Sequence, residues 1–412
     1  MKILFLTPQL PYPPQQGTAL RNWGLISELA SRHQVSLLSF QAPGQSLRSD
    51  SPLGLACESI ETIPQPARTR SRRLRDLILT DLPDMALRLE SAAFRQRLSA
   101  WLARAAFDVV HVEGIELAPY LDLLESTSPR PFVVFDDHNC EYLLQKRAFV
   151  TDLGQPRRWH AAAYSFVQWR RLQKYEIRAC RRSGLVVAVS EPDAHALREL
   201  IPELEPLVVP NGIDLSAYRS DLPPPPEMGE GALVFTGKMD FRPNVDAMLW
   251  FARRALPRIR QEVPQTHVWV VGQRPHRRLD VLRDDPAVTL TGRVEDVRPY
   301  IAGAAVYVAP LRMGGGTRLK LLEAMAMERA VVATRLGAEG FPLTGGRELL
   351  LADTAETFAD AVVSLLHDPN RRAALGRAAL RFVETRYDWR VLTPRLEAAY
   401  RSRQRPAMGR RT

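Results

Sequence analysis

The chain has 412 residues, of which 45% are hydrophobic and 25% are charged. This composition excludes a disordered or fibrous protein, and the length predicts two or three domains, of which we expect two large ones. The net charge is +10, carried by 51 arginines and five lysines. The basic residues gather in the first half, in the segments 67–75, 155–160, 168–174 and 178–184. They indicate one of two things: a basic face that meets anionic lipid or a phosphate-bearing acceptor, or ordinary solvated helix faces. Nucleic acid is less favoured as a partner, because no recognition motif accompanies these residues.

The start of the chain does not resemble a secretory signal, because the apolar run 3–6 is short and prolines follow it. No run approaches the ~18 apolar residues of a membrane span. The three cysteines are odd in number and far apart, which argues against a disulfide framework or a zinc site. We therefore expect a cytoplasmic protein, with peripheral contact to the inner face of an anionic membrane as an option that the basic segments leave open.

Apolar runs alternate with helical patterns through the first half. Strands are predicted at 2–7, 34–40, 108–114, 131–137 and 184–190, and a first helix at 17–32. Such runs lack polar alternation, which indicates strands covered on both faces, as in a parallel α/β sheet.

The pattern restarts after a proline-rich linker at 215–231, which includes four consecutive prolines. Domains are predicted at 1–214 and 232–387, with a helix at about 388–405 packing back on the first domain and a basic tail at 406–412. In the second domain, strands are predicted at 232–237, 266–272, 287–292, 304–310 and 330–334, and a helix at 243–260. Two doubly wound α/β units would bind a ligand beyond the carboxyl ends of their strands, in the cleft between the domains.

Two predicted helix starts in the second domain carry cations. In PLRMGGGTRLK (310–320), three glycines precede Thr317, a good N-cap residue, and then come Arg318 and Lys320. Helix starts favour acidic residues, because their first amide protons are unpaired and the helix dipole is positive there. Cations at this position therefore indicate an anion bound at the glycine amides.

The same pattern occurs where a strand ends at Gly237. Lys238 follows this glycine, and Arg242 lies just before Pro243, a natural first helical residue. The alternative is surface charge on tight turns, but two such turns at strand ends of one domain favour a bound diphosphate. Glu323 lies one helical turn after Lys320, in the order that opposes the dipole, so a carboxylate that binds a ribose diol explains it better than a helix salt bridge.

With these motifs the chain resembles the retaining glycosyltransferases of glycosyltransferase family four, which have the GT-B fold of two Rossmann-like domains facing across a cleft. The resemblance is closest to the branch found with bacterial exopolysaccharide synthesis, including that of exosortase protein-sorting systems. It covers nearly the whole chain and rests on the segments PYPPQQGTALRNW, FDDHNCEYLLQKR, VAVSEPDAHAL, VVPNGIDLSAY, FTGKMDFRPNVDAMLWF, LTGRVEDVRPYIAGAAVYVAPL and GGGTRLKLLEAMAMERAVVAT.

The resemblance implies an acceptor-side first domain and a nucleotide-sugar-binding second domain. It places the pyrophosphate on Lys238 and Arg242, the ribose on Glu323, and His138 beside the donor sugar. The implied catalytic residues are His138, Lys238 and Arg242. The implied donor-binding residues are Gly17, Gly237, Lys238, Arg242, Gly292, Arg293, Val294, Gly315, Gly316, Thr317, Arg318, Leu319, Lys320 and Glu323.

One position departs from the family pattern. The E-x(7)-E motif expects a glutamate eight residues before Glu323, where this chain has Gly315. A covalent sugar intermediate would need a carboxylate there, so we favour departure and attack on the same face. An inverting enzyme would need a base such as Asp137 or His138, and the structural interpretation of these two residues is a capped strand end.

The implied function is transfer of a sugar from a nucleoside-diphosphate sugar to a glycan or lipid-linked acceptor in bacterial surface polysaccharide synthesis. Fixed cations and amides would stabilise the departing diphosphate without a metal. No D-x-D pair or metal-binding histidine spacing occurs, and no cofactor is expected. The alternatives are a nucleotide-sugar epimerase of the same fold and a non-catalytic nucleotide-binding protein.

Overall fold

The computed structural model describes residues 1–14, 17–154, 158–314 and 318–404. The chain divides into two compact units. Unit 1 comprises Met1–Gly212 and Leu392–Thr412, and unit 2 comprises Ile213–Val391.

Unit 1 is built on a seven-stranded sheet in the order β3-β2-β1-β4-β5-β6-β7, in which every pair is parallel. Its strands are β1 (Lys2–Thr7), β2 (Gln34–Gln41), β3 (Ser59–Pro64), β4 (Val109–Glu113), β5 (Phe132–Asp137), β6 (Leu185–Ala188) and β7 (Leu207–Val208). The central strands are buried throughout, because helices cover both faces of the sheet.

The helices of unit 1 are α1 (Gly17–Ala30), α2 (Pro52–Ala56), α3 (Arg70–Leu79), α4 (Asp84–Arg88), α5 (Ala92–Arg104), α6 (Leu121–Glu125), α7 (Glu141–Leu153), α8 (Trp159–Arg182), α9 (Glu191–Leu200) and α16 (Trp389–Gln404), the last numbered by its place in the chain. Although α16 follows unit 2 in sequence, it contacts unit 1. Arg32 Nε donates to Glu397 Oε1 at 2.7 Å, and the buried Tyr400 lies 2.7 Å from His111 Nδ1.

Unit 2 repeats the same winding with six strands in the order β10-β9-β8-β11-β12-β13. They are β8 (Ala232–Thr236), β9 (His267–Val271), β10 (Val288–Gly292), β11 (Val306–Ala309), β12 (Ala330–Ala333) and β13 (Leu350–Leu351). The order reverses between β8 and β11. In open α/β sheets, ligands bind at such a switch point, beyond the carboxyl ends of the two strands.

The helices of unit 2 are α10 (Arg242–Trp250), α11 (Leu256–Glu262), α12 (Arg298–Ala302), α13 (Leu319–Ala326), α14 (Ala355–His367) and α15 (Pro369–Arg386). One turn of π-helix, Phe251–Ala255, joins α10 to α11, so the single helix predicted at 243–260 is interrupted by a wider turn.

The predicted strands agree with the structure to within two residues at each end. Three strands were not predicted, namely β3, β7 and β13. All three lie at the edge of a sheet. The strands β7 and β13 have only two residues each, and β3 is only partly buried, so none of them shows a long apolar run. Among the described residues, no helix combines the length and apolar character needed to cross a bilayer.

Gly376 in α15 lies where that helix touches the turn after α13. A Cβ on Gly376 would lie 2.2 Å from the backbone oxygen of Glu328. Replacing glycine by alanine within a helix ordinarily stabilises it by ~1 kcal/mol. We predict that Gly376→Ala instead destabilises the protein by about 2 kcal/mol through overpacking, measured by urea unfolding. Gly229→Ala is the control, since nothing lies within 4 Å of its added Cβ.

Candidate functional site

The two cation-bearing turns come together at the switch point of unit 2. The turn after β8 contains Gly237 and Lys238, and Arg318 and Lys320 lie at the start of α13, after β11. They share a cavity of about 410 Å³. Its lining residues are Gly237, Lys238, Asp240, Phe241, Pro243, Asn244, Leu311, Arg318, Leu319 and Lys320.

Two glycines fix the backbone of the turn after β8. The amide of Gly237 donates to the Val271 oxygen at 3.0 Å, and Met239 N donates to the Gln273 oxygen at 2.9 Å, so the turns after β8 and β9 are bound together. A Cβ on Gly272 would lie 1.7 Å from the Gly237 oxygen. The close approach of the two strand ends therefore requires glycine at position 272.

Asn244, in the first turn of α10, connects the two cation-bearing turns. Its Nδ2 donates to the backbone oxygen of Lys238 at 2.8 Å, and its Oδ1 accepts from Lys320 Nζ at 3.0 Å. Asn244 is itself buried. One amide side chain thus fixes the distance between a turn of the sheet and a helix start.

Lys320 has an unusual environment for an ammonium group. Its Nζ lies 4.1 Å from the centre of the Phe235 ring and has the Asn244 contact described above. Burial lowers the pKa of Lys320 to about 7; Glu323 opposes this shift, and Arg318 reinforces it. The amine therefore exchanges its proton near neutral pH, and an added negative charge in the cavity would favour the ammonium form.

Glu323 lies one turn further along α13. Its Oε1 accepts a hydrogen bond from the Tyr218 hydroxyl at 3.1 Å. Burial raises the pKa of Glu323, although Tyr218 and Lys320 act in the opposite direction. The carboxylate has a second oxygen with which it can accept from a ligand hydroxyl.

Lys238 and Arg242 are both exposed. Toward the part of the chain that the structure describes, neither side chain makes an ion pair or a hydrogen bond. Arg318 differs, because its side chain is buried and this burial lowers its pKa. A Cβ on Gly314 would lie 3.3 Å from Arg318 Nη2, so the guanidinium group reaches the glycine turn.

Three of the predicted donor-binding residues, Gly292, Arg293 and Val294, lie at the carboxyl end of β10. Since β10 is parallel to β9, this is the same edge of the sheet as the two cation-bearing turns. Gly292 has φ of 71°, a left-handed conformation that glycine adopts readily, and a register shift precedes it in β10. Val294 packs against the apolar core of unit 2, whereas Arg293 is exposed.

His138 lies in unit 1, directly after β5. Its Nε2 donates to Glu113 Oε2 at 2.5 Å, and only 13% of its side chain is exposed. Burial lowers the pKa of His138, but the hydrogen bond and the charges of Glu113 and Asp136 outweigh it, so the pKa lies above the ordinary value. The imidazolium form is thus held by a carboxylate at the end of β4.

A buried network of charges surrounds this pair. Arg21 of α1 binds Asp136 through Nε and Nη2, at 2.6 Å for the shorter contact, and donates through Nη1 to the Val209 oxygen at 2.9 Å. Burial opposes the ionisation of Asp136, yet Arg21 and the neighbouring histidines hold its pKa below the ordinary value. His111 Nε2 lies 3.1 Å from Glu113 and 3.4 Å from Asp136, both of which are acceptors.

The predicted site residues therefore fall into groups. Those that line the cavity are Gly237, Lys238, Arg318, Leu319 and Lys320. Those that belong to unit 2 but not to this lining are Arg242, Gly292, Arg293, Val294 and Glu323. His138 and Gly17 lie in unit 1, and Gly17 is the exposed first residue of α1. Gly315, Gly316 and Thr317 lie outside the described residues. Sequence reasoning missed Asn244, Tyr218 and Glu113; an asparagine directly after a turn and a buried glutamate ending an apolar strand were the available signals.

We predict that Glu113→Gln lowers the pKa of His138 from its raised native value, because burial remains while one of the two carboxylates that oppose it is gone. The raised pKa of the native imidazole contributes stability that is complete below the unfolded pKa and is lost as the pH rises through the folded one. NMR titration of the histidine rings measures this shift. The control is Glu199→Gln, which removes an exposed carboxylate of α9 and should leave the His138 titration unchanged.

Comparison with known proteins yields two adjacent family matches. Residues 16–217 match the family described as Glycosyltransferase Family 4, and residues 230–368 match the family described as Glycosyl transferases group 1. A phosphatidyl-myo-inositol mannosyltransferase of Mycolicibacterium smegmatis is 31% identical over 200 residues, which is 47% of this chain and 50% of that protein. The chain spans about half the length of the curated relatives that it matches.

Solved structures match over nearly the full length. A sucrose-phosphate synthase from Thermosynechococcus elongatus has a TM-score of 0.67 at 17% identity, covering 98% of this chain and 99% of that one. HepE of Anabaena in complex with UDP has a TM-score of 0.65 at 15% identity, covering 98% and 100%. At such identities the likeness concerns the fold. With its two parallel-sheet α/β units the chain has the GT-B fold, its first unit being like the glycosyltransferases of family four and its second like those of group 1.

Proposed function

We propose that the protein transfers a sugar from a nucleoside-diphosphate sugar to a glycan or lipid-linked acceptor. The observation that carries this proposal is the cavity at the switch point of unit 2, where two cation-bearing turns meet and a carboxylate follows on the same helix. The name of the mycolicibacterial relative, a mannosyltransferase of a phosphatidylinositol, supports a lipid-linked acceptor. A role in bacterial surface polysaccharide synthesis is the finer form of the proposal, and it rests on the sequence resemblance.

The chemistry follows from the charge that develops as the sugar leaves. The bond from the anomeric carbon to the phosphate oxygen breaks, and the diphosphate gathers negative charge. Among the described residues, the side chains of Lys238 and Arg242 make no hydrogen bond or ion pair, so they are available to neutralise this charge. In this proposal the cations act in place of a metal.

The Glu323 carboxylate would accept hydrogen bonds from the ribose diol, while its Oε1 accepts the hydrogen bond of the Tyr218 hydroxyl. For His138 the proposal is the family role of a hydrogen bond to the donor sugar, with Glu113 keeping the ring protonated. The leaving phosphate would take the acceptor's proton on the same face of the sugar, which is the retaining course that the resemblance implies.

The test is a screen of uridine, guanosine and adenosine diphosphates and their sugars by thermal shift, followed by incubation with the sugar that binds. We expect one nucleotide class to stabilise the protein, and its sugar to be transferred to an added polyprenyl-phosphate or phosphatidylinositol acceptor. Conversion of the nucleotide sugar without an acceptor would instead identify an epimerase. Nucleotide binding without transfer or donor hydrolysis would identify a non-catalytic binding protein.

Substitutions of Lys238 and Glu323 should distinguish binding of the diphosphate from binding of the ribose. We predict that Lys238→Ala weakens binding of both the nucleoside diphosphate and free pyrophosphate by about 10- to 100-fold, the loss of one charged hydrogen bond. Glu323→Gln should weaken the nucleoside diphosphate by about tenfold and leave pyrophosphate unchanged, because only the former has a ribose. Calorimetry measures both affinities.

The matched control is Lys174→Ala, which removes an exposed lysine of α8 in unit 1. It should bind both ligands like the wild type. Equal affinity of wild type and Lys238→Ala for pyrophosphate would contradict the assignment of the diphosphate position.

Lys320 makes nucleotide binding depend on protons. Burial lowers its pKa to about 7, and the charge of a diphosphate would raise it. We therefore predict proton uptake on binding just above pH 7, and an affinity that falls as the pH rises through this range. Calorimetry in two buffers of different ionisation enthalpy should give different apparent enthalpies for wild type and the same enthalpy for Lys320→Met. Identical wild-type enthalpies would contradict the prediction.

A further inference from the structure

Exposed apolar side chains are concentrated on three helices of unit 1. Of the eleven large apolar side chains that are exposed in the described structure, eight belong to α3, α7 and α8. They are Leu74, Ile78, Leu79, Leu144, Val150, Leu153, Trp159 and Phe166. Concentrated exposure of this kind marks an interaction surface rather than ordinary surface variation.

The helix α3 presents three of these side chains to solvent, Leu74, Ile78 and Leu79. Leu74 and Ile78 lie one turn apart on the same side, and Ile78 and Leu79 are each 72% exposed. Arg75 lies between them on the helix surface and is also exposed. An apolar stripe with arginine beside it is the pattern of a helix that lies in the plane of a membrane interface.

Contacts with α8 fix α3 in place. Arg171 Nη2 donates to the Leu77 oxygen at 2.9 Å, and Arg73 Nη2 donates to the Tyr164 hydroxyl at 3.4 Å. Leu74, Ile78 and Leu79 remain exposed beside these contacts. The helix α3 therefore presents its apolar side chains next to α8.

The adjoining ends of α7 and α8 extend this surface. Trp159 is 61% exposed, and its Nε1 donates to the Leu153 oxygen at 3.3 Å, which holds the ring at the end of α7. Val150 and Phe166 are exposed on the same two helices. Tryptophan favours the headgroup level of a bilayer, where its ring is in apolar surroundings and its edge is wet.

The charge of this surface is positive. Arg72, Arg75, Lys146 and Arg147 are exposed on α3 and α7. The acidic groups among them are already engaged, because Asp76 binds Arg68 at 2.9 Å and lies 3.8 Å from Arg75, and Asp152 binds Arg158 at 3.1 Å. Arg72, Lys146 and Arg147 lie outside these ion pairs, so the net charge beside the apolar side chains is positive.

We propose that this surface, formed by α3 and the adjoining ends of α7 and α8, docks on an anionic phospholipid bilayer. The inference rests on the proposed function, because a lipid-linked acceptor is presented at such a surface. Apolar side chains would enter the headgroup and acyl boundary while arginines contact lipid phosphates. Two copies of this chain would place like charges against each other, which disfavours a dimer through the same surface.

The test is co-sedimentation of the full chain with phosphatidylcholine vesicles, with and without phosphatidylglycerol, at low salt and without nucleotide or acceptor. We expect binding only to the anionic vesicles, and its loss at high salt. Arg72→Gln with Arg75→Gln should weaken binding by about fivefold for each arginine removed. Leu74→Ser with Ile78→Ser should weaken it by on the order of tenfold.

Controls come from unit 2. Val281→Ser removes an apolar side chain that is 53% exposed, and Arg253→Gln with Arg254→Gln removes two exposed arginines; both variants should bind vesicles like the wild type. Thermal unfolding of every variant checks that the fold is retained. The Lys238→Ala protein should also bind vesicles normally, since that residue belongs to the nucleotide cavity.

Equal binding to neutral and anionic vesicles would overturn the proposal, as would unchanged binding of the α3 variants. A dimer in solution that Leu74→Ser with Ile78→Ser dissociates would assign the surface to a second copy instead. Because the vesicles contain neither acceptor nor donor, vesicle binding without sugar transfer in the enzymatic screen would leave this proposal standing and refute the proposed function alone.

Discussion

The hydrogen bonds of Asn244 determine the geometry of the cavity in unit 2. One amide accepts from the Lys320 ammonium group and donates to the carbonyl of Lys238, so a helix start and a strand end are tied through a single buried side chain. Without that link, the position of α13 relative to β8 would depend on the contact of Lys320 with the Phe235 ring and on apolar packing, which lacks direction. A site for a ligand with two adjacent phosphate groups needs such directional contacts.

Unit 1 uses charge in a different way. Two buried or nearly buried ion pairs lie together here when the histidine is protonated. They are Arg21 with Asp136, and His138 with Glu113. Buried charges are costly unless paired, and removal of one partner leaves another uncompensated. The protonation of His138 is therefore part of the internal balance of unit 1, which links a residue near the surface to α1, β4 and β5.

Much of the fold could be predicted from the sequence, because strands covered on both faces appear as unbroken apolar runs. The edge strands could not, since β3 is partly exposed and β7 has only two residues. The cation-bearing turns were visible because their charges contradict the helix dipole. Tyr218 and Glu323 are 105 residues apart, and a pairing over that distance leaves no local pattern.

The close approach of Gly272 to Gly237 has a further consequence for the backbone at the cavity. The turn after β8 is held by its neighbour in the sheet, with the Gly237 oxygen in the space that a side chain at 272 would need. Two of its amides, those of Gly237 and Met239, donate to the end of β9 and the turn after it, so the backbone of this turn is fixed by contacts within the protein. Little conformational entropy therefore remains to be lost on association, where each newly ordered residue would cost about 1–2 kcal/mol. The missing Cβ at position 272 is what lets the two turns come close enough to make these hydrogen bonds.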